Sequence, residues 1–149
     1  MALLRSVGDF PPFDSLHAHC AMKMNFPSTA CNDAFSKMLN AVNTWHPEPD
    51  TSAGTYALVT ETDNSSIWAT RTTPVKHYVD DILFQYSSNS NGGCSIAAKS
   101  RSQTLSYYDY STNFCNMWNV FQVVGGSPTM SVSDCTFPAD DPKTVCAKY

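Results

Sequence analysis

The sequence predicts an α+β fold: one long helix packed on a curved antiparallel β-sheet, with disulfides stapling the whole. Three observations lead there. Ala34, Phe35, Met38, Leu39, Val42 and Trp45 recur at spacings of three and four, which puts them on one helical stripe. From residue 55 onward, short alternating apolar and polar runs are separated by turn-forming Asp, Asn, Ser and Gly, the pattern of an antiparallel meander. Cys20, Cys31, Cys94, Cys115, Cys135 and Cys146 form an even set with no Cys-x-x-Cys pair, which suits disulfides better than a zinc ribbon or a redox motif.

At 149 residues the chain has the size of one domain and can bury its own core, so residues 1–149 are read as a single domain. Residues 1–15, with Gly8, Pro11 and Pro12, show no period and are expected to form an N-terminal arm. In residues 17–26, His17, His19, Ala21, Lys23 and Asn25 alternate with Ala18, Cys20, Met22, Met24 and Phe26, a strand with one apolar face. Pro27 ends it, Ser28 or Thr29 is placed to cap the helix, and Pro47 and Pro49 close the helix. Phe35, Met38, Val42 and Trp45 are expected to face the sheet. Further strands are expected at 55–61, 66–72, 77–86, 94–101 and 117–124, with turns at Asp63-Asn64-Ser65 and at 89–93. Residues 125–149, broken by Pro128, Pro138 and Pro142, are expected to be an irregular C-terminal tail. Cys135 and Cys146 share that tail and are the favoured pair among the roughly fifteen connectivities that six cysteines allow. A helix lying on a bent sheet leaves room between the two, and a ligand is expected there.

The composition, 42% hydrophobic and 15% charged, is that of a folded domain rich in Ser, Thr and Asn. A net charge of -4, with nine unclustered Lys and Arg, argues against nucleic acid as a partner. Asn64-Ser65-Ser66 is a glycosylation sequon, and with the cysteines it favours a secreted, extracellular protein. Met1 to Arg5 offers only Ala-Leu-Leu before an arginine, short of a signal core of about 7–15 residues. The expected reconciliation is a mature chain with its signal removed and a starting Met restored; the alternative is a cytosolic protein with six free thiols. No run of about 20 apolar residues is present, so no membrane span is expected.

Asp80 shares a strand face with Tyr78, Ile82, Phe84 and Tyr86, and Asp81 with His77, Val79, Leu83 and Gln85. One of the two must therefore face a largely apolar layer, where an unpaired carboxylate is expensive. Arg101, Arg71 or a tyrosine hydroxyl are candidate partners. The carboxylate is then either a tuned acid or base or part of a structural salt bridge, and the bridge is favoured. Arg101 with Ser100 and Ser102 has the fork and hydroxyls to grip an anion, but the turn lacks the glycines of a phosphate-cradling loop. Arg101 is therefore expected to clasp the 102–113 loop by bonding Asp109, or one of Asp80 and Asp81. His17 and His19 share a face but are too few for a metal shell, and Cys20 points the other way, so neither metal nor cofactor is expected. His46 and His77 are isolated. There is no Gly-x-Ser-x-Gly elbow. Trp68, Tyr107, Tyr108, Tyr110 and Trp118 supply enough aromatic surface to line a cavity.

Val79-Asp80-Asp81-Ile82-Leu83-Phe84, the Cys-Ser-Ile-Ala-Ala-Lys run from Cys94, the Ser100-Arg101-Ser102 turn, and Asp109 with Asn113 together resemble the family known as domain of unknown function 1499. Its members carry a similar Asp-Asp strand, a Ser-x-Ser-Arg-type turn and an Asp-to-Asn stretch, and the likeness spans roughly residues 27–121. The chain differs in Gln103, where relatives often carry a basic residue, in Ser111, where glycine is common, and in one more residue before Asp109. It also adds its cysteines and the Tyr107-Tyr108-Asp109-Tyr110 run. The resemblance implies a comparable helix and strand pairs but no activity. The leading reading is a secreted protein that binds a small, partly apolar molecule through Asp80, Asp81, Arg101, Asp109, Asn113, Trp68, Tyr108 and Trp118. The alternatives are a hydrolase-like or other enzyme using the Asp80, Asp81, Arg101, Asp109 and Asn113 cluster, and a structural or self-associating extracellular protein.

Overall fold

The computed structural model describes residues 5–46, 54–106 and 108–149. Its strands are β1 (His19–Phe26), β2 (Thr55–Thr62), β3 (Ser66–Thr72), β4 (Val79–Ser88), β5 (Cys94–Ser102) and β6 (Thr129–Ser133). They form one antiparallel sheet in the order β2-β3-β4-β5-β1-β6. Three helices, α1 (Cys31–Thr44), α2 (Thr112–Phe121) and α3 (Pro142–Val145), accompany the sheet. α1 and α2 pack their apolar stripes on one of its faces.

The strand alternation has the consequence expected of a half-covered sheet. Met22, Met24 and Phe26 of β1, Ile67 and Ala69 of β3, Ile82 and Phe84 of β4, and Ile96 and Ala98 of β5 point to the helices and are buried. The opposite, outer face is covered in part by the N-terminal arm. Phe10 lies edge-on against Trp68 at 5.4 Å and joins it and Leu83 in a second, smaller apolar cluster.

The expectation of one long helix is overturned. The helical layer is divided among helices of 14, 10 and 4 residues. Residues 117–124, read as a strand, belong to α2 and the turns that follow it. Met117-Trp118-Asn119-Val120-Phe121 is a β-prone run, but Phe114, Met117, Val120, Phe121 and Val124 recur at helical spacing and all are buried. Burial of that stripe outweighs the local β preference. The tail is also not irregular: β6 pairs with β1, Met130 opposite Met24 and Val132 opposite Met22, before α3 and a 3-10 turn at Cys146–Lys148. In α1, Phe35, Met38 and Val42 are buried, while Trp45 is the C-cap and packs edge-on against Tyr56 at 5.3 Å. The N-cap is Ala30 rather than Ser28 or Thr29. Pro47, Pro49 and Tyr107 lie outside the described residues.

All six cysteines are paired, as Cys20–Cys135, Cys31–Cys94 and Cys115–Cys146. The favoured Cys135–Cys146 bond is not formed. Pairing of β6 with β1 delivers Cys135 to Cys20, and the chain then returns to α2, where Cys146 meets Cys115. Each bond closes a long loop, of 115, 63 and 31 residues, so each removes much of the unfolded chain's freedom.

Candidate functional site

The register sets Arg71, Asp80 and Ser102 side by side across β3, β4 and β5, at the end of the helix face away from the apolar core. Asparagines of α2 meet this row. Asn116 Nδ2 donates to Asp80 Oδ2 at 2.8 Å, and Asn116 Oδ1 accepts from Arg71 Nη1 at 3.2 Å, so a neutral amide bridges the buried cation and carboxylate. Tyr56 donates its hydroxyl to the Asn116 carbonyl at 2.9 Å. One turn earlier, Asn113 Oδ1 accepts from Ser100 Oγ at 2.7 Å. Asn113 Nδ2 faces Asp109 Oδ2 at 2.9 Å, Ser102 Oγ at 2.9 Å and the Ala18 carbonyl at 3.1 Å, three acceptors for two hydrogens. Asp109 also takes the backbone N–H groups of Asn113 and Ser111, at 3.0 and 3.1 Å. It thereby holds the start of α2 after Tyr110 and Ser111, whose φ angles of 52° and 69° lie in the left-handed region.

Arg71 is 1% exposed and its Nε finds no acceptor among the described residues. The guanidinium lies 5.6 Å from the Tyr149 ring centroid, and its other side fits against Gly54, where a Cβ would come within 2.7 Å of Cζ. Asp80, 3% exposed, has its carboxyl raised above the usual range chiefly by burial. Hydrogen bonds from Asn116 and Ser102 and the Arg71 charge oppose the rise, and Asp109 adds to it.

A cavity of about 350 Å³ opens over this network. Asp80, Ser102 and Asp109 line it, Tyr78, Tyr108 and Tyr110 contribute aromatic walls, and Lys76 stands among the lining groups. This hollow, unlike the one expected, does not lie between α1 and the sheet. It lies at the sheet's end, bounded by the turn before β4 and the loop leading into α2.

The expected site residues divide between the two faces. Asp80, Asp109, Asn113 and Tyr108 gather at the network and cavity. Asp81, Arg101 and Trp68 are on the outer face, and Trp118 packs half-buried against the main core. Trp68 Nε1 and Gln103 Nε2 donate to Asp81 at 3.0 and 3.1 Å. Arg101 does not bond Asp109, Asp80 or Asp81. Its Nη2 reaches Asp14 Oδ2 at 3.1 Å and His17 Nδ1 at 3.0 Å, because alternation turns it away from the helix face and the arm brings these partners over it. His17 Nδ1 also lies 2.7 Å from Asp14 Oδ1; it donates there or accepts from Arg101, one at a time. His19 is held by Asp134 and the His17 carbonyl, and Phe13 stacks on its ring at 4.4 Å. Among the described residues no three His, Cys, Asp or Glu side chains are placed to hold a metal ion.

Sequence reasoning missed Asn116 and Tyr78 as site residues, named Ser102 only with Arg101 as an anion grip, and named Arg71 only as a partner. Arg71 was visible as a charge in phase with Ile67 and Ala69, and Asn113 and Asn116 as polar residues three apart once α2 is read as a helix. No protein-family model matches the chain, and no curated protein is found to be related to it.

Proposed function

We propose that the chain is a secreted, disulfide-stapled protein that binds a small, partly apolar molecule in the cavity over Asp80, Ser102 and Asp109. The cavity carries this reading: about 350 Å³ is within the usual range for small-molecule sites, and its lining combines tyrosine walls with a few converging polar groups. Three disulfides favour an oxidising compartment. Asn64 is exposed in the turn between β2 and β3, as a glycosylated residue must be. Membership of the domain of unknown function 1499 family is part of the proposal. It draws support from Ser111, whose φ of 69° is the conformation for which the glycine common in those relatives is suited.

The test is ligand-observed NMR of a fragment library against the oxidised protein and Tyr78→Ala. Hits weakened by the substitution support the site, and hits indifferent to it place binding elsewhere. A second reading, an enzyme using Asp80 as an acid, draws on the burial-raised carboxyl with Asp109 nearby. Turnover lost in Asp80→Asn with binding retained would favour it.

A further inference from the structure

We propose that the ligand is an organic cation, an amine on an aromatic or aliphatic body. This rests on the cavity as a binding site and adds the charge of its occupant. Two carboxylates, Asp80 and Asp109, line the cavity, and among the described residues the buried network beneath holds one cation, Arg71. Arg71 reaches the row through Asn116, not through the cavity. Lys76, on an exposed turn, also lines the cavity. The cavity wall itself thus sets two carboxylates against one ammonium, an acidic lining once Asp80 is ionised.

The hydrogen bonds point the same way. Asp109 takes three N–H bonds from the start of α2, and Asp80 is bonded by Asn116 and Ser102. A carboxylate pair offers about eight acceptor positions, so acceptors remain for a ligand's N–H groups. The walls suit a cation as well. Tyr78 and Tyr110 are 47% and 75% exposed, which leaves ring surface to meet a positive group or an apolar body. An anion of the same shape would meet two carboxylates against one ammonium and should bind more weakly than the cation. The ammonium would also favour ionised Asp80 against its burial, so affinity should rise with pH through the range in which free Asp80 gives up its proton. Arg71, Asp109 and Lys76 are the other charged groups facing that region.

The experiment measures binding of 2-phenylethylamine, hexylamine and benzyltrimethylammonium to the full oxidised chain. 2-Phenylethanol and phenylacetate serve as neutral and anionic counterparts, each probe titrated by calorimetry and NMR. At least one amine should bind about tenfold more tightly than the alcohol, with phenylacetate weakest, and raised salt should narrow the gap. Asp109→Asn should lower the amine's affinity about tenfold and the alcohol's by much less. Because Asp109 also holds α2, Tyr78→Leu serves as the second variant and should cost the amine about two- to fivefold. Equal binding of amine and alcohol, both weakened by Tyr78→Leu, would keep the site and overturn the cation. No binding of any amine, or amine binding indifferent to both variants, would overturn the proposal.

Discussion

Asp80 and Asp81 are neighbours in β4, 3% and 4% exposed, and they point to opposite faces of the sheet. On the helix face Asp80 is held by the amide of Asn116 and the hydroxyl of Ser102, with Arg71 behind and a cavity in front. On the outer face Asp81 is closed in by N–H groups of Trp68 and Gln103. Arg101 stands opposite it in the register but turns its Nη2 to Asp14 and His17. Equal burial thus yields two different groups. Asp81 is satisfied within the fold, whereas Asp80 is desolvated beside space that a ligand can enter. Burial alone does not mark a site; burial next to an opening does.

The comparison is most directly broken at the two arginines. Arg71→Met should cost about 3–5 kcal/mol in denaturant unfolding, because it strands Asp80 without its buried cation. Arg101→Met should cost clearly less, since its partner Asp14 is 42% exposed and water replaces the contact. Equal losses would show that the outer face is as tightly coupled as the helix face.

Apolar packing gives the next largest contrast. Phe84 is fully buried and meets Phe121 edge-on at 5.3 Å, so Phe84→Ala should cost about 3–5 kcal/mol. Phe10 belongs to the small cluster under the arm, and Phe10→Ala should cost about 2 kcal/mol, near the transfer term alone. A larger loss at Phe10 would make the arm part of the cooperative core.

The carboxylates themselves separate by pH. Burial raises Asp80, so the folded protein keeps a proton that the unfolded chain has already released. Stability at this site therefore falls as pH rises from the ordinary carboxylate range through Asp80's higher value. Asp80→Asn lacks this loss, and its stability relative to the wild type should improve with pH over that window. A difference that does not change with pH would mean Arg71 fully offsets the burial.

The smallest effect is expected at Asp14. Its bond to His17, with further help from the Leu16 N–H and Arg101, holds its carboxyl well below the usual range. Its contribution is present above the ordinary carboxylate range and is lost as pH falls through the lowered value. Asp14→Asn should therefore be slightly less stable than the wild type at neutral pH, equal to it in strong acid, and less distinguishable in high salt. A deficit that persists in acid would assign Asp14 a role other than charge.

Much of this molecule is local enough to be legible in the sequence. The stripe from Ala34 to Val42, the alternation in β1 and β3 to β5, and the opposed directions of Asp80 and Asp81 follow from helical and strand periods alone. Six cysteines without a metal-binding spacing pointed to disulfides, and three are formed. The site was half legible: a carboxylate on an apolar face was anticipated, but its partners were not. Residues 117–124 satisfy β preference as well as helical spacing, and only packing against β1 and β5 selects the helix that carries Asn113 and Asn116 to Asp80 and Ser102. Cysteine pairing, the partners of Arg101 and the position of the cavity likewise depend on which distant segments the sheet order brings together. A period is a property of neighbouring residues, which the sequence by itself determines; contacts across 87 residues, as between Asp14 and Arg101, exist only once the tertiary fold has closed the loop between them.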